Sequence, residues 1–204
     1  MRPPLFRLCF LLSRGLCGGR EPLAVLEAAV HGGVDCVQLR EKEMSGAELY
    51  EWGRKLRREC RRLGVPLVVN DHLELALALG AEGVHLGQED LHADDARRLA
   101  SDSLWIGLST HDLEQLDEAA ELRVDYAGFG PVFATPTKGY GIGLGAPQLA
   151  AALAIARVPV VAIGGITPEN AWMIPEQAGV AVSTAIGLAE DPTAAARGLL
   201  AARL

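Results

Sequence analysis

Lysine is nearly missing from this chain of 204 residues: of nineteen Lys and Arg residues only Lys42, Lys55 and Lys138 are lysine. Past the N-terminus, no apolar run approaches the length of about 18 residues that a membrane-spanning helix needs, so a transmembrane protein is not expected. The four cysteines, Cys9, Cys17, Cys36 and Cys60, lack metal-ligand spacing, and Cys9 and Cys36 fall in apolar runs. They read as buried free thiols of a cytoplasmic protein. The histidines form no zinc signature. Glycines 15, 18 and 19 have the wrong spacing for the Gly-x-Gly-x-x-Gly turn of a dinucleotide site. Positive charge is also in deficit. A net charge of -7 and a pI near 5.2 argue against non-specific binding to nucleic acid or an anionic membrane. Half of the residues are hydrophobic and 22% are charged, which suits a folded chain. No linker or composition break divides it, so one domain over 1–204 is expected. The apolar stretch 5–12 is broken by Arg7 and lacks a clean cleavage site, so it reads as a first strand rather than a secretion signal.

What is present is one repeated unit, a short apolar strand followed by an amphipathic helix. Strands are predicted at 8–12, 34–39, 66–69, 83–86, 104–108, 126–130, 159–163 and 179–183. Helices are predicted at 21–31, 44–63, 73–79, 93–99, 113–122 and 148–156, then after Thr167 and from about 191 to the end. Leu49, Trp52, Leu56, Cys60 and Leu63 recur at helical spacing. Thr167-Pro168 has the form of an N-cap followed by a first helical proline. The strands are continuously apolar, as a parallel sheet covered on both faces requires. Eight such units predict a closed (β/α)8 TIM barrel, with an open doubly wound sheet as the alternative.

In a barrel of this kind, residues just past the C-terminal strand ends share one rim. Gln38, Arg40 and Lys42 alternate after the second strand and can point the same way. Arg offers a planar fork to phosphate oxygens and Lys a compact charge. The alternative is that they pair with Glu41 and Glu43. Asn70 and Asp71 follow the third strand and Asp90 the fourth; two carboxylates without a nearby cysteine suit Mg²⁺. Asp90 could instead serve the start of a helix, beside Asp94 and Asp95. Ser109 and His111 follow the fifth strand. Thr135, Thr137 and Lys138 lie in a glycine-rich loop after the sixth, where hydroxyls and an ammonium can cradle a phosphate. Gly164-Gly165 bring bare backbone N–H groups near a bound anion, with Ser183 beside them. Two phosphate positions on one rim are therefore expected.

The stretches Val37-Gln38-Leu39-Arg40-Glu41-Lys42, Asn70-Asp71, Gly83-Val84-His85-Leu86-Gly87-Gln88-Glu89-Asp90 and Gly130-Pro131-Val132-Phe133-Ala134-Thr135-Pro136-Thr137-Lys138 resemble the thiamine phosphate synthase family. Ile106 to His111, Ala162 to Ile166 and Val180 to Ser183 extend the likeness. The resemblance implies a homodimeric TIM barrel that joins a hydroxymethylpyrimidine diphosphate to a thiazole phosphate, or its carboxylated form. It implies Mg²⁺ on Asp71 and Asp90, and a diphosphate-pyrimidine site of Gln38, Arg40, Lys42, Asn70, Ser109, Thr135, Thr137 and Lys138. It places Gly165, Val182 and Ser183 at the thiazole phosphate and requires no protein nucleophile. The loop over 136–143 would close to exclude water. Two departures stand out: Ser13-Arg14 where the family often has Thr-Asp, and Ala134 in place of a frequent proline. A related thiazole tautomerase would make His111 a proton-transfer residue, and a non-catalytic phosphate-ligand sensor is the reading from another class.

Overall fold

The computed structural model describes residues 6–135 and 141–203. Its strands are β1 (Leu8–Leu12), β2 (Cys36–Leu39), β3 (Leu67–Asn70), β4 (Gly83–Leu86), β5 (Trp105–Thr110), β6 (Tyr126–Phe129), β7 (Val160–Ile163) and β8 (Gly179–Val182). They pair in chain order, all parallel, and β8 closes on β1 through Leu8↔Val180 to Phe10↔Val182. The helices around them are α1 (Pro22–His31), α2 (Gly46–Leu63), α3 (Leu73–Leu79), α4 (Ala93–Ala100), α5 (Leu113–Glu121), α6 (Ala146–Ile155), α7 (Thr184–Gly187) and α8 (Pro192–Ala201). The closed (β/α)8 TIM barrel expected from the strand pattern is thus the observed fold. No helix among the described residues is long and apolar enough to cross a membrane.

Local chemistry sets the helix ends. Ser45 and Glu48 form a reciprocal capping box at the start of α2, directly after the Gln38–Lys42 segment. Asp112 and Asp191 cap α5 and α8 by accepting backbone N–H groups. One expectation fails here. Past β7, Thr167-Pro168 opens no α-helix; a turn leads into a single 3-10 turn at Ala171–Met173. The Asn170 side chain explains it by competing for the local backbone, accepting the Thr167 N–H and donating to the Gly165 carbonyl. Pro175 then stops any continuation.

Two apolar layers follow from strand geometry. Residues facing the helices, such as Phe10, Val37, Leu67, Leu86 and Phe129, form the large shell core. Their neighbours in sequence point into the barrel, where Phe6, Cys9, Leu11, Cys36, Val68, Tyr126, Val161 and Ala181 form a smaller cluster. All four cysteines are buried and free, as expected.

Candidate active site

The rim is built by extending the inward-facing rows of the strands. Gln38 is buried in the barrel, where it borders a small internal cavity together with His85 and Tyr126. Arg40, two residues on, is also buried and borders the large rim cavity of about 260 Å³. The period of two therefore holds for this pair, while Lys42 lies beyond the strand and is exposed. Among the described residues, no ion pair joins Arg40 or Lys42 to an acid. Glu41 turns the other way and takes Arg14.

Asp71 and Asp90 come together because β3 and β4 are neighbours. The Asp71 N–H continues that ladder to the His85 carbonyl at 2.8 Å. Its φ of 66° then turns the chain sharply, a conformation that Asp and Asn tolerate better than most residues. Asp90 closes the turn after β4, accepting the Gly87 N–H on Oδ2 at 2.6 Å. It precedes the His92 cap of α4, whose first turn holds Asp94 and Asp95 instead. The helix-start account thus belongs to those two acids and not to Asp90. The Asp71 carboxyl is pushed up to about 6, first by desolvation and then by the Asp90 carboxyl, which shares a hydrogen bond with it; His72 and Arg40 pull the other way. Asp71 is exposed in surface terms, yet its carboxyl is recessed enough that removal from water dominates. Two carboxyl groups brought this close offer oxygens that a divalent ion can take. Among the described residues no group of three or more His, Cys, Asp or Glu side chains gathers as a metal cage. Two carboxylates with the remaining positions left to water and phosphate fit Mg²⁺ better than a fully protein-ligated ion. Asn70, at the end of β3, is half-buried beside them.

The rim cavity that Arg40 borders is also lined by Ser109, His111, Thr135, Gly165, Val182 and Ser183. Gly164 and Gly165 both have positive φ, 96° and 64°. A Cβ on Gly164 would fall 2.5 Å from the Pro131 Cβ, and one on Gly165 would fall 2.8 Å from the Phe133 Cβ. Only glycine lets the chain after β7 pass this close beneath the β6 loop. No hydrogen bond to protein takes the N–H of either glycine among the described residues. His111 faces the cavity with Nδ1 2.6 Å from the Gly130 carbonyl, so that nitrogen carries the proton. Thr137 and Lys138 lie outside the described residues, as does most of the loop expected to close over the site.

One part of the site was not anticipated. His85, within β4, points into the barrel. Its Nδ1 lies 3.1 Å from the Tyr126 hydroxyl and its Nε2 2.9 Å from Ser109 Oγ. Burial keeps the Tyr126 phenol protonated by pushing its pKa well up. A Cβ on Gly107 would fall 2.6 Å from His85 Nδ1, so this glycine opens the space for the pair. A polar chain therefore runs from the barrel interior to Ser109 on the rim. Tyr126 carried no signal beyond being a polar-tipped residue in an apolar strand.

Comparison with known proteins agrees with this geometry. The family model described as thiamine monophosphate synthase matches residues 8–186. The chain is 44% identical over 197 residues to the thiamine-phosphate synthase of Syntrophomonas wolfei, covering 95% of this chain and 94% of that one. It is 43% identical over 199 residues to that of Chloroflexus aurantiacus, covering 96% and 92%. The solved structure of thiamine phosphate pyrophosphorylase from Pyrococcus furiosus superposes with a TM-score of 0.87 at 33% identity, covering 97% of this chain and 95% of that one. A 3-hexulose-6-phosphate synthase, with a TM-score of 0.71 and 17% identity over 97% of this chain and all of that one, shares the fold alone. The chain belongs to the thiamine monophosphate synthase family.

Proposed function

We propose that this protein is the transferase that joins 4-amino-2-methyl-5-(diphosphooxymethyl)pyrimidine to 4-methyl-5-(2-phosphoethyl)thiazole, or its carboxylated form, giving thiamine phosphate and diphosphate. The observation that carries the reading is the buried Arg40, unpaired with any acid among the described residues, which borders the rim cavity and lies near enough to the Asp71–Asp90 carboxyl pair to oppose the rise in the Asp71 pKa. These groups suit a diphosphate. Gly165, Val182 and Ser183, which also line the cavity, suit a phosphomonoester.

In this reaction the C–O bond between the pyrimidine methylene and the diphosphate breaks, and its electron pair leaves with the diphosphate. The thiazole nitrogen supplies the pair for the new C–N bond, so no protein nucleophile is needed. Arg40, Lys42 and Lys138 offset charge growing on the leaving oxygens, and Ser109, Thr135, Thr137 and Asn70 donate hydrogen bonds to them. Gln38 orients the pyrimidine from inside the barrel. Ser109 is held for its part by His85, itself braced by Tyr126. Asp71 and Asp90 would hold Mg²⁺, which when bound adds positive charge at the leaving diphosphate. We further propose one domain over 1–204 acting as a cytoplasmic homodimer.

The test is product formation from the two substrates with Mg²⁺ and then with EDTA, run beside Asp90→Ala and Lys138→Ala. Thiamine phosphate that needs the metal and falls by at least about 100-fold in both variants is expected. No product, with isomerisation of the thiazole carboxylate phosphate that depends on His111, would move the chain to the tautomerase. Stoichiometric ligand binding without either turnover would make it a sensor.

A further inference from the structure

The segment after β1 supplies no substrate contact in the reading above, yet it is tied to the segment that supplies Arg40. The Ser13 hydroxyl donates to the Arg40 carbonyl. The Arg14 N–H donates to Glu41 Oε1 at 2.7 Å, and its Nε lies 3.8 Å from the same oxygen. The Arg14 guanidinium also sits 5.7 Å from the centre of the Trp52 ring on α2, which limits its freedom. The Glu41 side chain is only 10% exposed, so its charge is poorly screened by water.

Glu41 lies between the two cations of the anion wall, Arg40 and Lys42. A carboxylate there has two effects on an arriving phosphate: it repels the anion and competes for the same cations. Among the described residues it pairs with neither of them and contacts Arg14 instead. We propose that Arg14 is a positioning residue of the anion site, which neutralises Glu41 and draws it aside so that Arg40 and Lys42 remain open to phosphate oxygens. The inference rests on the reading that these two residues hold the diphosphate. It also gives a physical role to Ser13-Arg14, the segment where this chain departs from the family pattern.

The test measures binding of inorganic diphosphate in MgCl₂ by calorimetry, for wild type, Arg14→Ala, Arg14→Lys, Glu41→Gln and the Arg14→Ala/Glu41→Gln double variant. In Glu41→Gln the side-chain amide oxygen can still accept the residue-14 N–H, but the negative charge is gone. Arg14→Ala should weaken binding about fivefold, the scale of a partly exposed ion pair. Arg14→Lys should stay close to wild type, and Glu41→Gln should restore affinity in the double variant. The KM for the pyrimidine diphosphate should follow the same order, with kcat within about twofold. Unchanged affinity in Arg14→Ala, or a loss that persists without the Glu41 charge, overturns the inference. Melting curves of each variant separate these outcomes from misfolding. Wild-type protein that binds diphosphate without turnover overturns the functional reading alone, whereas failure to bind diphosphate overturns both.

Discussion

Asp71 joins three constraints in a single residue: a left-handed backbone, a recessed carboxyl and an acid neighbour. Its raised pKa means that the folded state holds this proton more tightly than the unfolded chain does. The carboxylate is therefore a cost to stability at pH values above about 6, and that cost disappears as the pH falls below the ordinary carboxyl range. Asn keeps the shape, tolerates the same φ and carries no charge. In EDTA at pH 8, Asp71→Asn should melt about 2 °C higher than wild type, with the gain vanishing near pH 4, while synthase activity in Mg²⁺ falls at least about 100-fold. Melting curves at the two pH values and a product assay check both halves. Much of this wall was legible beforehand, because Gln38 and Arg40 alternate at the strand period and Asp71 and Asp90 end consecutive strands. The φ of Asp71 and the closeness of its carboxyl to that of Asp90 were not legible, since both arise from the β3–β4 ladder and the turn after β4.

At the level of elements, the apolar runs marked all eight strands to within two residues, because a strand buried on both faces leaves no room for polar positions. Helix caps were less readable: Ser45, Asp112 and Asp191 did not stand out as caps in the sequence, and Thr167, which did, opens no helix. The capping box of α2 lies three residues beyond Lys42 and fixes where the anion wall ends. Ser45→Ala should cost about 1 kcal/mol, seen as a lower urea midpoint at unchanged slope, with kcat and KM per folded enzyme nearly unchanged. The stretch after β7 shows the limit of such signals. Thr167-Pro168 matches a helix start, yet Asn170 captures the neighbouring backbone groups and the chain turns. An Asn side chain can serve a helix surface or a turn, and only its surroundings decide between them.

For the whole molecule, closure is what turns eight repeated units into one site. The N-terminal end of the barrel is sealed by Arg203, which follows α8 and donates to the carbonyls of Arg7, Pro175 and Ala178. Its guanidinium is buried enough to lower its pKa, so its loss would leave several carbonyls short of a donor far from the rim. Arg203→Ala should destabilise by about 2 kcal/mol in urea melts, while the KM for both substrates stays within about twofold of wild type. The amino-acid sequence by itself determined the repeated strand–helix unit, the parallel sheet and the chemistry of the rim residues, because hydrophobic period and charge are local properties. The tertiary structure alone decided that His85 faces inward to Tyr126 and Ser109, that Asp71 meets Asp90, and that Arg14 pairs with Glu41. Each of these depends on which strand ends become neighbours once the barrel closes, and proximity across strands is set by register and turn geometry rather than by residue type.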